Sequence, residues 1–174
     1  MELTTNQKGA IAEAAVTLAA VRLGIEVYRP MAEGGRYDLV FAFPNGRLWR
    51  VQCKWGRVRR GVLQVRLATS RHTPRGYVRT TYGADEIDAF VVYSPDLDRC
   101  YYLPISEFAG RTYAHLRIAP TGNNQAIGIK FLADYEFGAI AQLGERVTGS
   151  HEVAGSSPAS STSEAARQGG LFAA

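Results

Sequence analysis

The stretch RYDLVFAFPNGRLWRVQCKW, residues 36–55, constrains this chain more than any other. Two runs rich in β-branched and aromatic side chains, Asp38–Phe43 and Arg47–Lys54, flank the turn tripeptide Pro44-Asn45-Gly46. That combination predicts a β-hairpin. Side chains alternate faces along a strand, so Trp49, Val51 and Cys53 share one face of the second strand. Arg50, Gln52 and Lys54 share the other. The first face reads as core. The second sets an amide carbonyl beside an amine, next to Asp38 at the head of an otherwise apolar strand.

A carboxylate and a lysine on neighbouring strands suit metal-assisted attack on a phosphodiester. The carboxylate holds a hard cation, which polarises the phosphate and activates water. The lysine offsets developing negative charge or orients the water. An ordinary salt bridge between Asp38 and Lys54 would account for the same two residues without any chemistry.

The charge pattern points to the partner. A net charge of +4 over 174 residues is modest, but its distribution is uneven. From Leu39 to Ala84 there is no Asp or Glu, while Arg47, Arg50, Lys54, Arg57, Arg59, Arg60, Arg66, Arg71, Arg75 and Arg79 all fall there. A solvated face mixes both signs, whereas an acid-free run interleaved with Trp55, His72 and Tyr77 suits a polyanion. Arginine dominates the run, and its planar fork pairs with phosphate oxygens two at a time. A nucleic acid is the expected partner. Arg57, Arg59, Arg60, Arg66 and Arg71 are expected on phosphates, and Arg75, Tyr77 and Arg79 near base edges.

The length suits one domain with an appendage. No apolar run approaches the roughly 18–20 residues that span a bilayer, so no membrane association is expected. The start of the chain lacks an apolar signal segment, which leads us to expect a cytoplasmic, nucleoid-associated protein. Cys53 and Cys100 form no CxxC pair and read as buried thiols.

Thr4 and Gln7 have capping-box spacing, and helical periodicity continues from Ala10 to Leu23, ending at Gly24. Glu13 is the only acid inside this helix, with Gly9 one turn earlier. A short strand, Ile25–Tyr28, precedes a glycine-rich loop. After the hairpin, residues 61–67 alternate as a strand, and residues 69–84 show no periodicity and read as a long basic loop. Ile87–Tyr93 and Cys100–Leu103 are strands, residues 104–108 a short helix, Tyr113–Ile118 a strand, and residues 127–137 a last packing element. The order predicts an α+β or α/β fold around one mixed sheet, occupying residues 1–137.

Residues 138–174 differ in kind: Ser, Gly and Ala dominate, as in linkers. They also back-translate. Ile-Ala-Gln-Leu-Gly-Glu-Arg fits ATAGCTCAGCTGGGAGAGCG, like the D-arm of a tRNA gene, and Gly155-Ser156-Ser157-Pro158 fits GGTTCGAGTCCC, like its T-arm. The reading frame is therefore expected to run through a tRNA gene, with the tail not selected as a folded part.

Glu13 on the first helix, Tyr37-Asp38-Leu39 and Val51-Gln52-Cys53-Lys54 together resemble the PD-(D/E)xK nuclease superfamily. More narrowly they resemble its group I intron homing-endonuclease branch, where glutamine replaces the second acid. The likeness continues through residues 83–90, Tyr101-Tyr102-Leu103-Pro104, Asn123-Asn124-Gln125 and Ala133-Asp134-Tyr135-Glu136. The resemblance implies a restriction-endonuclease-like core, a central mixed sheet flanked by helices. It implies Mg²⁺ (or Mn²⁺) and hydrolysis of DNA. Glu13, Asp38, Gln52 and Lys54 would be catalytic, and Asp38, Glu13, Gln52 and the Cys53 backbone carbonyl would hold metal. Cutting both strands implies a homo-oligomer, a dimer or tetramer. Alternatives are a Holliday-junction resolvase or repair nuclease of the same fold, or a DNA-binding module with a decayed nuclease site.

Overall fold

The protein's structure, a computed structural model, describes residues 2–32, 34–74, 76–119 and 128–140. Arg75, the Asn123-Asn124-Gln125 likeness and the tail beyond residue 140 lie outside these residues. The first helix, α1 (Thr5–Arg22), begins as its sequence dictates. The Thr4 hydroxyl accepts from the Gln7 N–H at 3.3 Å, and the Gln7 side chain accepts from the Thr4 N–H at 2.9 Å. Two of the helix's orphan donors are thereby satisfied. The stripe Ala12, Val16 and Ala20, spaced by one turn, is fully buried. Small side chains there let the helix lie close on the sheet.

Three antiparallel strands follow: β1 (Glu26–Tyr28), β2 (Leu39–Ala42) and β3 (Leu48–Arg59). The β2–β3 turn closes with the Gly46 N–H donating to the Phe43 carbonyl at 2.9 Å, and Gly46 takes φ +80, a conformation costly for other residues. β3 is the spine of the molecule. Its first half pairs with β2 on one side and, in parallel, with β7 (Ala89–Ser94) on the other. β7 in turn pairs with β8 (Arg99–Pro104). The second half of β3 pairs with β4 (Val62–Arg66), which pairs with β9 (Tyr113–Arg117). The result is one mixed seven-stranded sheet. The second strand of the hairpin is thus longer than its sequence pattern indicates, because its outer half finds a different partner.

One face of the sheet carries Leu39, Phe41, Val51, Cys53 and Val91 against Val16 and Ala20 of α1, and Phe137 and Ile140 close the same cluster. The other carries Phe90, Val92, Leu63, Val65 and Leu116 against Ile105 and Phe108 of α2 (Ile105–Phe108), with Leu132 and Tyr135 from a 3₁₀ turn. β7 is buried on both faces, which explains its unbroken apolar run. Each fully buried Leu or Phe contributes about 1.5–3 kcal/mol. The expected flanking helices reduce to one long helix on one face. Short elements and the outer strands close the other.

Residues 69–80 correct the expectation of a loop. They form a two-stranded antiparallel sheet, β5 (Thr69–Thr73) and β6 (Gly76–Thr80), with His72 opposite Tyr77. Period-two patterning appears only where one face is buried. None of this hairpin's described side chains is buried, and Tyr77 is 81 % exposed. Among the described residues, no helix is long and apolar enough to cross a membrane.

Candidate active site

Asp38 sits where the chain enters β2, and the hairpin register ties it to β3. Its backbone N–H donates to the Val51 carbonyl at 2.9 Å, and its carboxylate accepts from the Cys53 N–H at 2.8 Å. The Gln52 side-chain amide also donates to this carboxylate. A carboxylate only accepts, so it fixes which way the Gln52 amide is turned. The Gln52 carbonyl oxygen therefore points the other way, where it accepts from the Tyr82 hydroxyl at 3.1 Å. The Lys54 ammonium donates to the same hydroxyl at 3.5 Å and lies 4.9 Å from the centre of the ring.

A directed chain results, Lys54 to Tyr82 to Gln52 to Asp38, each donor facing the next acceptor. Its members polarise one another in a site shielded from water. Gln52 and Tyr82 are buried. A second cation braces the ring: the Arg36 guanidinium sits 3.9 Å from the Tyr82 centroid. Arg36 is held by Glu86 at 2.6 Å and 2.9 Å, and it donates to the Thr81 carbonyl.

Burial pushes the Lys54 ammonium down to about 8, against the pull of the Asp38 charge. Burial also pushes the Asp38 carboxyl up, opposed by the Cys53 N–H, the Lys54 charge and the Gln52 amide. Desolvation thus weakens the charged form of both groups while each stabilises the other. Opposed shifts of this kind mark sites of chemistry more often than surface ion pairs.

Glu13 faces Asp38 across a cleft of about 680 Å³ whose walls include Asn6, Gly9, Glu13, Arg29, Tyr37 and Asp38. Glu13 is ion-paired with Arg29, which follows β1. Asp38 and Glu13 put two carboxylates on one cleft, and oxygen donors of this kind suit a hard divalent cation. The Gln52 carbonyl oxygen, expected to ligate, accepts from the Tyr82 hydroxyl here. The guanidinium of Arg29 provides the positive charge beside Glu13.

The arginines expected on DNA divide into two groups. Arg57 and Arg59 on β3 and Arg66 on β4 line an open concavity together with Trp55, Tyr113 and His115. Arg71, Tyr77 and Arg79 lie on the β5–β6 hairpin. Arg60 stands in the β3–β4 turn at φ +50. Arg50, in the same acid-free run, is instead tied to Asp88 at 3.2 Å. Sequence reading missed Tyr82, Arg36 and Arg29. Arg36 adjoins Tyr37-Asp38, a signal available in principle. Nothing local ties Tyr82 or Arg29 to the hairpin.

An aspartate entering one strand and Gln-x-Lys on its neighbour, set on a mixed sheet backed by a helix, define a nuclease of the restriction-endonuclease-like type. The family model described as PD-(D/E)XK endonuclease matches residues 3–138, and the chain belongs to that family. Among solved structures it is similar to that of a bacterial homing endonuclease, I-Ssp6803I. The TM-score is 0.69 and the identity 26 %, over 84 % of this chain and 99 % of that one. No curated protein sequence matches the chain.

Proposed function

We propose that this endonuclease is metal-dependent and site-specific, of the homing type, acting on double-stranded DNA inside the cell. The observation that carries the reading is the directed chain from Lys54 to Asp38, which ends on the cleft that Glu13 faces. Asp38, Glu13 and the Cys53 carbonyl would hold Mg²⁺ or Mn²⁺, which polarises the scissile phosphate and lowers the pKa of attacking water. Gln52 fixes the orientation of the Asp38 carboxylate through its amide. The Lys54 ammonium, desolvated and aimed by Tyr82, offsets charge developing on the phosphate oxygens. Gly9 leaves open space on the cleft wall, where an added Cβ would meet nothing. The β5–β6 hairpin is the expected reader of sequence, since a two-stranded ribbon fits the major groove. One chain carries one such site, so cleaving both strands calls for a homo-oligomer, a dimer or tetramer.

The test uses a plasmid library of random sites with Mg²⁺, followed by sequencing of the cut ends. A single recurring end sequence is expected. Asp38→Asn and Lys54→Ala should each bind the selected site normally and lose at least about 10²-fold in cleavage rate. Full cleavage by Lys54→Ala would remove the lysine from the mechanism. Ends spread over all sequences would refute site specificity.

A further inference from the structure

We infer that the outer face of β3, β4 and β9 is a second nucleic-acid site, one that holds an unpaired strand. Alternation along β3 sets Trp55, Arg57 and Arg59 on the face opposite Gln52 and Lys54. The register then places Arg66 of β4 and Tyr113 and His115 of β9 beside them, with Gln64 opposite both Arg57 and His115. Together they line a concavity of about 430 Å³ that shares no residue with the Asp38–Glu13 cleft. The catalytic reading does not assign it.

Two observations fix the class of ligand. Arg57, Arg59 and Arg66 have no carboxylate partner among the described residues, while Asp96 beside the strand accepts from the Val58 N–H. Three unneutralised guanidinium groups on one face call for an anion with repeated charges. Tyr113 and His115 present parallel rings, 6.3 Å apart with planes 15° from coincidence, and Tyr113 is 47 % exposed.

A duplex satisfies the first observation alone. Its bases are stacked on one another and present only edges in the grooves. An unpaired strand satisfies both, with phosphates on the arginines and a base face on the Tyr113–His115 pair. The site would hold a strand released from pairing while the Asp38–Glu13 cleft does its work.

The experiment keeps this separate from cleavage by using the full chain carrying Lys54→Ala, in EDTA. Fluorescein-labelled oligothymidylate of about a dozen nucleotides, oligouridylate of the same length and a matching duplex are titrated by anisotropy. Oligothymidylate should bind. Tyr113→Ala should weaken that binding roughly tenfold or more while changing duplex binding less than about twofold. Tyr113→Phe, which keeps the ring, should leave both unchanged and so controls for folding. The thymidylate and uridylate arms tell a displaced DNA strand from a transcript. Equal weakening of single strand and duplex would mean the face only grips duplex backbone. Failure of either oligonucleotide to bind, or binding indifferent to Tyr113→Ala, would overturn the inference.

Discussion

Lys54 is a half-buried cation with few partners, and its environment has a consequence for stability. Its ammonium ordinarily loses its proton near 10.5, and in the folded protein near 8. Between those values the unfolded chain holds a proton that the folded one has released. Stability therefore rises with pH across that window through this residue, by up to about 1.4 kcal/mol per unit. Lys54→Met removes the contribution. Urea unfolding of both proteins without metal should show wild type gaining on the variant as pH rises from about 8 to about 10. A constant difference would mean that the ammonium is solvated in the folded state. Arg29 makes a second prediction at this scale. It neutralises Glu13 from a half-exposed position, so a divalent cation must displace it. Arg29→Ala should tighten Mn²⁺ binding by up to about fivefold in calorimetric titrations without DNA, the range of an exposed ion pair. Weaker binding in the variant would show that Arg29 supports the cleft instead of competing for it.

Among the elements, β3 carries the sharpest steric constraint. At Gly56 the strand changes neighbours, and an added Cβ would lie 2.8 Å from Val92 Cγ1 and 2.9 Å from Leu63 Cδ1. Both residues are fully buried and cannot give way. Gly56→Ala should therefore cost about 1–3 kcal/mol, read as a lowered urea midpoint. No loss would imply that β4 can shift outward. The same strand shows what the sequence could reveal. The Thr4–Gln7 cap, the apolar alternation of β3 and β4 and the two-faced burial of β7 are local patterns, and each was legible. The β5–β6 hairpin buries none of its described side chains and so left no pattern. Asp38, Gln52 and Lys54 stood out through motif spacing. Tyr82 did not, because it reaches Gln52 from 30 residues away, and only the folded sheet brings the two together. The orientation of Gln52, which decides whether its oxygen is free, depends on that same distant hydroxyl.

For the whole molecule, the packed core continues past residue 137 among the described residues. Ile140 is fully buried in the cluster beneath α1, next to Phe137, whose ring meets Phe41 edge-on at 6.1 Å. We propose that the remaining tail is dispensable. A chain ending at Ile140 should match the full chain in thermal midpoint and cleavage. One ending at Phe137 should lose about 2–5 kcal/mol, the range for deleting a buried aliphatic side chain. A large loss in the longer of the two would give the tail a structural role.

The sharing of β3 between two sets of neighbours has a further consequence. Lys54 and Arg59 stand on one unbroken strand, five residues apart, or roughly 16 Å at the usual rise. That interval is set by backbone geometry and cannot be retuned by repacking side chains. The strand works as a ruler: changing the offset between the proposed strand-holding face and the proposed catalytic lysine would require adding or removing residues in pairs, since a single insertion would turn every later side chain to the wrong face.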